Sequence, residues 1–505
     1  MGKRRISTTA GETFQEFASH TSVHGFKYLV DKNLEKYERG LWLLIITSSL
    51  CAAGYMTVLF WERYSDNPTR TTIKAIYAPV ASIPYPGVTI CNVNNVLKSK
   101  LDKFLSTLDA TDDEIETVRK TFRKLRFSQQ SALAAATAEY NHTELEVVQD
   151  VLKRNDFDSV QRIVRRVSQS CPDMIQSCAW NKNEPCAHQF RETFTANGLC
   201  CSFNYVLDVS PDQMLKNPQY GTSSGLTVTV KPAHDPVTSS LRKIRRVKVM
   251  IHSSGDYPGI DALTKVLSAG ELCYLQLKAS KRESSPSVKS LTVRQRKCVF
   301  PNERTLKYFK LYTDSNCFMG CLANQTYKHC GCVPYYYDYT DKPSCNLTML
   351  PCLQHIKSIG THGCYCPPQC EDESYNVFAT SAKLDNRVKS AWTTKSLLGI
   401  NDTEKYLIIN VHFIGNGQQI LLRDTITSTI YLLSSFGGVY GLFIGCSIIS
   451  LTEIFYYVII RFGQKLRENQ RIEAKIHTIS SKLNQNRLQK ESMEIYFQPQ
   501  FPFVQ

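Results

Sequence analysis

The residues of this chain that could do chemistry are suited to holding a small cation, not to breaking a bond. Near the carboxyl end a glycine recurs every fourth position, at Gly437, Gly441 and Gly445, and Gly438 and Ser434 widen the small face. Gly445 opens the triplet Gly445-Cys446-Ser447, and Glu453 follows as the lone charge in the run from Thr425 to Ile460. Where such a face borders a narrow passage, backbone carbonyls and hydroxyls replace part of an ion's hydration shell. Acids inside membrane segments commonly serve ion pathways. Each feature also has a plainer reading: GxxxG lets helices pack closely, and Glu453 can simply sit at an inner membrane interface. No rival chemistry competes, because the sequence holds no Ser/His/Asp set, phosphate loop or metal box. The expectation is a protein that is not an enzyme and needs neither cofactor nor metal.

The elements that must position these residues are two long apolar segments. The first runs uncharged from Gly40 to Trp61 and the second from Thr425 to Ile460. A helix crosses a bilayer with about 20 apolar residues. The second segment, at 36 residues, is nearly twice that length, so an interruption near its glycines is expected, and broken helices tend to line polar cavities. Of 19 cysteines, 17 lie between the two segments, which places that region in an oxidising compartment. Lys27, Lys32, Lys36 and Arg39 precede the first segment, and Arg461, Lys465, Arg467 and Arg471 follow the second. Both ends are basic beside the membrane, so residues 1–39 and 461–505 are assigned to the cytoplasm and 62–424 to the outside. The sequons at Asn141, Asn324, Asn346 and Asn401 all fall in that outer part. The first apolar run starts too late and is too long for a cleaved signal, so it serves as an uncleaved anchor. The net charge of +15 is spread along the chain, and an oxidising location excludes nucleic acid as a partner. Arg4-Arg-Ile-Ser7 has the form of a basophilic kinase site, but a short basic end serves first as a topology signal.

Within the outer region, residues 97–170 read as helices. Thr111 and Glu114 form a capping-box pattern, followed by Ile115, Val118, Phe122 and Leu125 at helical spacing. Thr143–Glu146 starts a second helix, and Val160, Ile163, Val164 and Val167 mark a third. Strands are expected at Val88–Asn92, Cys200–Leu207, Val247–His252, Cys273–Leu277 and Tyr406–Phe413. They are far apart in sequence, so the sheet forms by long-range pairing. The basic stretch Leu241–Lys248 reads as a solvated strand edge or loop. Ten cysteines crowd between Cys298 and Cys370. Their spacing does not suit one tetrahedral zinc ion. Cys317 and Cys321 share a face of a helix, and Cys364 and Cys366 share a face of an extended segment. Stacked disulfide rungs between the two faces fit that pattern, although spacing alone leaves other connectivities open.

With these motifs in order, the chain resembles the degenerin/epithelial sodium channel family, which includes the acid-sensing channels. The resemblance is carried by His24-Gly25, by Tyr85-Pro-Gly-Val-Thr-Ile-Cys-Asn92, by Cys317-x₃-Cys321-x₈-Cys330-Gly-Cys332 and by Gly437-Gly-Val-Tyr-Gly-Leu-Phe-Ile-Gly-Cys-Ser447. Gly331–Tyr335, Arg296–Phe300 and Val249–Ser253 look most like the insect pickpocket branch. The resemblance implies an α+β membrane protein with two transmembrane helices. Its disulfide-rich ectodomain would have a β palm and β-ball core, a helical finger near 97–170 and a cysteine-rich thumb near 298–370. It implies the pairs Cys91–Cys200, Cys178–Cys186, Cys298–Cys370, Cys317–Cys366, Cys321–Cys364, Cys330–Cys352 and Cys332–Cys345, and leaves Cys171, Cys201 and Cys273 over. It also implies roles: Gly445, Cys446 and Ser447 as selectivity filter, His24, Gly25 and Ser434 in gating, and Gly441 and Glu453 at the pore or a blocker.

The function so implied is that of one subunit of a homo- or heterotrimeric, voltage-independent, amiloride-sensitive sodium channel in the plasma membrane, in contact with lipid and open to an extracellular ligand. Two rivals are a purinergic-type trimeric channel and a non-conducting accessory subunit or surface receptor. The His-Gly pair and the cysteine spacing oppose the first. Ser435 stands where acid-sensing members carry aspartate, which weighs against acid-type gating, and the tail has no Pro-Pro-x-Tyr motif.

Overall fold

A computed structural model describes residues 2–66, 68–124, 142–206, 214–235, 245–259, 262–353, 363–384, 403–426 and 429–496. The chain divides into two compact units, residues 69–425 and the remainder.

The 69–425 unit is α+β. Among the described residues it forms an eight-stranded and a five-stranded sheet. The long strand Glu271–Ser284 organises the larger one. Its first half pairs in parallel with Leu407–Phe413 and its second half with Gly417–Thr425, while Asp372–Lys383 runs antiparallel along its other edge. Thr69–Pro79 closes one side against Gly417–Thr425, and Leu226–Val230 and Ile175–Trp180 extend the other. The smaller sheet has the order Arg191–Thr195, Gly198–Phe203, Gly87–Asn92, Arg246–His252, Leu263–Ser268. Apolar residues of both sheets meet in one core, including Ile90, Phe203 and Val249 from the smaller and Val228, Leu275 and Ile409 from the larger. Leu407–Phe413 is buried at every position, as befits a strand covered on both faces.

The Tyr85-Pro-Gly turn pins the two sheets together. Tyr85 is fully buried, its ring stands edge-on to Trp180 and Phe413, and its hydroxyl donates to the Val411 carbonyl at 2.8 Å. A side chain at position 87 would collide with the imidazole of His252. That buried ring contacts the Ser253 carbonyl through Nδ1 at 2.8 Å and the Thr89 hydroxyl through Nε2 at 2.9 Å.

Between the strands stand the helices Lys98–Leu105, Asp112–Lys124, His142–Arg154 and Val160–Val167. They share a core of their own through Leu101, Phe122, Val148 and Val164. The Thr111 hydroxyl accepts the Glu114 amide at 3.4 Å while the Glu114 carboxylate accepts the Thr111 amide at 2.9 Å, so the capping box forms. Val160, Ile163, Val164 and Val167 are all buried. Leu125 lies outside the described residues. Some expectations need correction. The strand assigned to Cys200–Leu207 ends at Phe203, where Asn204 takes φ of +53° and leaves the sheet. Thr425 is the last residue of a strand, paired with Thr69, so the second apolar segment begins as helix at Thr429.

A helix from Asp314 to Cys330 carries the disulfide cluster. The Thr313 side chain caps its start by accepting the Asn316 amide, and Gly331 ends it in the left-handed conformation at φ +71°, a position that favours glycine. Cys317 is bonded to Cys366 and Cys321 to Cys364, with Cys330–Cys352 and Cys332–Cys345 beyond them and Cys298–Cys370 at the base. Elsewhere Cys91 joins Cys200 and Cys178 joins Cys186. Cys171 joins Cys201, which leaves Cys273 as a buried free thiol.

The second unit is helical. Lys36–Asp66 is one helix of 31 residues, long and apolar enough to cross a membrane, and it contains the expected Gly40–Trp61. Gly2–His20 and Phe26–Val30 precede it. The second apolar segment is broken into Thr429–Ile444 and Ile448–Phe455, and the helical stretches Ile430–Ile444 and Ile448–Leu483 are bent by 75° from one another. A π-helical turn at Tyr456–Arg461 then leads into the polar helix Phe462–Tyr496.

Candidate functional site

The break between Ile444 and Ile448 gathers most of the residues singled out from sequence. Gly445 has φ of +66°, a conformation that L side chains rarely adopt. The Gly445 amide still reaches the Gly441 carbonyl at 3.0 Å, and the Cys446 amide reaches back to the Tyr440 carbonyl at 3.1 Å. Ser447 then caps the second half. Its hydroxyl accepts the Ser450 amide at 3.2 Å, and the Ser450 hydroxyl accepts the Ser447 amide at 3.1 Å. This reciprocal capping satisfies donors that a new helix start exposes, so the sequence stops one helix and starts another within three residues.

The amino-terminal segment seats against this break. The His24 amide donates to the Ile444 carbonyl at 3.0 Å, and the His24 ring lies where a side chain on Gly445 would project. Gly25, at φ +88°, turns the chain there; a Cβ on it would press on Ile46 at 3.0 Å. Two turns below, Glu453 holds the same segment. Its carboxylate accepts the Ser22 amide at 3.0 Å, the Ser22 hydroxyl at 3.1 Å and the Thr21 hydroxyl at 3.3 Å. The Ser22 and fully buried Ser450 hydroxyls lie 2.7 Å apart, and those of Ser450 and Ser447 lie 3.2 Å apart. With Ser22 donating to the carboxylate, an unbroken hydroxyl chain links Glu453 to Ser447. Farther along, the Glu16 carboxylate meets Lys465 at 2.7 Å and Arg461 at 2.9 Å, and these two cations hold it below the usual carboxylate range.

Ser434, Gly437, Gly438 and Gly441 are exposed on the helix Thr429–Ile444. A Cβ on Gly437 or Gly438 would meet nothing within 4 Å, and one on Gly441 would meet only the Cys446 carbonyl at 3.9 Å. Close packing inside this chain therefore explains Gly445 but not Gly437, Gly438 or Gly441. The first long helix touches this one elsewhere, where the Thr57 hydroxyl reaches the Tyr440 hydroxyl at 3.2 Å.

The structure thus brings His24, Gly25, Gly445, Cys446, Ser447 and Glu453 together and leaves Ser434 and Gly441 on a separate open face. Sequence reasoning missed Thr21, Ser22 and Ser450. Ser447 and Ser450 at a cap spacing were the one available signal; nothing local ties Ser22 to a residue 431 positions away. The four sequons lie in the other unit. Asn324 sits on the helix Asp314–Cys330 and accepts from the Tyr308 hydroxyl, and Asn346 accepts from the Thr348 hydroxyl. Asn141 and Asn401 fall outside the described residues. Among the described residues no group of three His, Cys, Asp or Glu side chains is placed to hold a metal.

Comparison with known proteins adds a family. The model of the amiloride-sensitive sodium channel family matches residues 17–457. The sodium channel protein Nach of Drosophila ananassae is 28% identical over 472 residues, covering 91% of this chain and 88% of that one. Pickpocket protein 28 of Drosophila melanogaster is 22% identical over 500 residues, covering 88% and 78%. The human bile acid-sensitive ion channel is 24% identical over 483 residues, covering 90% and 88%.

Proposed function

The chain belongs to the amiloride-sensitive sodium channel family, and from that premise we propose that it is a pore-forming subunit of a trimeric, voltage-independent cation channel that prefers sodium. It is a membrane protein of an ion channel family, not an enzyme. In this reading three copies of the broken segment surround an axis, and the open glycine face lines it. The observation that carries the reading is that Gly437 and Gly438 face empty space within one chain. Glycine on a lipid-exposed face serves no purpose, whereas around a three-fold axis it lets neighbouring backbones approach. Gly445, Cys446 and Ser447 form the filter at the break, and Gly441 borders the amiloride site. His24 and Gly25, tied to the break and to Glu453, form the inner gating element.

The 69–425 unit is then the extracellular domain through which an extracellular ligand opens the channel. Its two sheets are palm and β-ball, its small helices the finger and its disulfide ladder the thumb. Both termini are cytoplasmic, the membrane is the plasma membrane, and the extracellular sequons carry glycans. The decisive measurement is ion selectivity. Ser447→Leu is expected to shift the sodium-over-potassium reversal potential or abolish current at normal surface expression. Leu442→Ile, on an 83% exposed position of the preceding helix, should leave both unchanged. A conducting Ser447→Leu channel with an unaltered reversal potential overturns the filter assignment.

A further inference from the structure

An apolar groove of about 270 Å³ runs along the amino-terminal helix Gly2–His20 where it meets the end of the second apolar segment. Ala10, Thr13, Phe14 and Phe17 form one wall, at the i, i+3, i+4 and i+7 positions of a single helix face. Ile454, Tyr457, Val458 and Phe462 form the other. The second wall crosses the π-helical turn Tyr456–Arg461, and such turns recur at functional sites. The Phe17 ring stands edge-on to Tyr457, with centroids 5.6 Å apart, and joins the two walls.

The lining holds no charged residue. Thr13 spends its hydroxyl on the Thr9 carbonyl at 2.8 Å. Glu16, on the same helix, takes up Lys465 at 2.7 Å and Arg461 at 2.9 Å. Apolar walls without polar partners do not hold ordered water, and a charged occupant would find no counterion in them. The groove suits hydrocarbon.

Its surroundings say which hydrocarbon. Val458 belongs both to the lining and to the exposed apolar run Phe455, Tyr456, Val458, Ile459 and Ile460. The groove therefore opens onto the surface that a membrane segment presents to lipid. Arg461, Lys465, Arg467 and Arg471 follow at once, where basic residues meet headgroups. The tail 497–505 is too short to fill it. The 35-residue helix Phe462–Tyr496 carries the tail roughly 50 Å away, and an extended segment of that length reaches back at most about 32 Å.

We propose that this groove holds one acyl chain of a membrane phospholipid. The acyl chain fills the space between the helix Gly2–His20 and the end of the second apolar segment. Thr21 and Ser22, next along, bond Glu453, and the His24 amide bonds the Ile444 carbonyl. An acyl chain that seats the helix therefore also steadies the contact at Gly445. A ligand that binds one arrangement better shifts the population toward it. The site rests on the second segment lying in a membrane, and only its effect on current rests on the channel reading.

The test uses the full chain in phosphatidylcholine nanodiscs that include a phosphatidylcholine with a diazirine in one acyl chain. After irradiation, peptides bearing Phe14 and Tyr457 are expected to carry at least threefold more label than those bearing the exposed Leu41, Leu43 and Leu44. Filling the groove should displace the acyl chain in order of volume. Ala10→Ser should leave the labelling unchanged, Ala10→Leu should lower it about twofold and Ala10→Phe at least threefold, with labelling of Lys36–Asp66 constant. A folded Ala10→Phe chain that keeps its label overturns the proposal, as does labelling no stronger than at Leu41–Leu44. If Ala10→Phe fails to fold, Ala10→Leu decides in the same way. Stronger labelling of these peptides by a photoreactive palmitic acid makes a free fatty acid the occupant, and a gain of label on removal of residues 497–505 makes it the tail. Either result overturns the proposal. A chain labelled as expected that never conducts keeps the site and removes the channel reading; conduction without the label does the opposite.

Discussion

His24 and Gly445 compete for one volume, and that makes the contact measurable. Gly445→Ala places a methyl group against the imidazole and also demands a left-handed backbone from alanine, which costs about 1 kcal/mol by itself. The collision term disappears if the ring is removed, and the backbone term does not. Gly445→Ala should therefore shift channel opening strongly alone and less in the His24→Ala background, with a coupling energy of about 0.5–3 kcal/mol in a double-mutant cycle. Purely additive effects on the current would separate the two residues. A second residue-scale expectation concerns pH. Burial pushes His252 down to about 4 from an ordinary value of 6.5, against the opposing bond to Ser253. Between those values the unfolded chain binds a proton that the folded chain excludes. Stability is therefore fully present above about pH 6.5 and falls as pH drops toward 4, by roughly 2 kcal/mol between pH 7 and pH 5. Melting temperatures at the two pH values should show the loss, and His252→Gln should flatten the slope.

At the scale of elements, legibility in the sequence followed burial. Leu407–Phe413 and Gly87–Asn92 are covered at every position, so each reads as a β-branched, apolar run. Thr69–Pro79 and most of Asp372–Lys383 are exposed. Such strands owe their pairing to a distant partner, and no local pattern announces them. The helix break was visible because a segment of 36 residues with a single charge exceeds one span and glycines mark the middle. The docking of Ser22 on Glu453 was not, since its hydrogen bonds are set by tertiary approach alone. Pairing of Cys171 with Cys201 was equally hidden, because three leftover thiols allow three choices. The ladder on the Asp314–Cys330 helix makes its own prediction. Cys321 and Cys364 close 43 residues of chain, and removing a native disulfide from a small secreted domain typically costs about 2–5 kcal/mol. Cys321→Ser should lower the melting temperature or surface expression, and Cys321→Ser with Cys364→Ser should add little more. Full additivity of the two losses would argue that the cysteines act separately.

For the whole molecule the open face of Thr429–Ile444 sets the question. Ser434 is exposed in the single chain, so a larger side chain there disturbs nothing inside the subunit. Around a three-fold axis it would meet its own copies. Overpacking typically costs about 1–3 kcal/mol, which in the trimer proposed above would act on each subunit and move a closed-to-open equilibrium by about tenfold or more. Ser434→Val should therefore give standing current without a stimulus while leaving the stability of the isolated chain unchanged. Normal closure at normal surface expression would place Ser434 away from the gate.

The Cys91–Cys200 bond has a further consequence. It spans 109 positions and encloses the whole set of small helices as a covalent lobe. A single proteolytic nick inside that lobe leaves both pieces tethered, so the cut stays invisible on a gel until the sample is reduced. Two nicks between Cys91 and Cys171 free the peptide between them and nothing else, because no cysteine lies in that stretch and the Cys91–Cys200 bond still joins the two flanking pieces. The chain can lose part of this lobe to a protease and keep an unbroken covalent path between its two apolar segments.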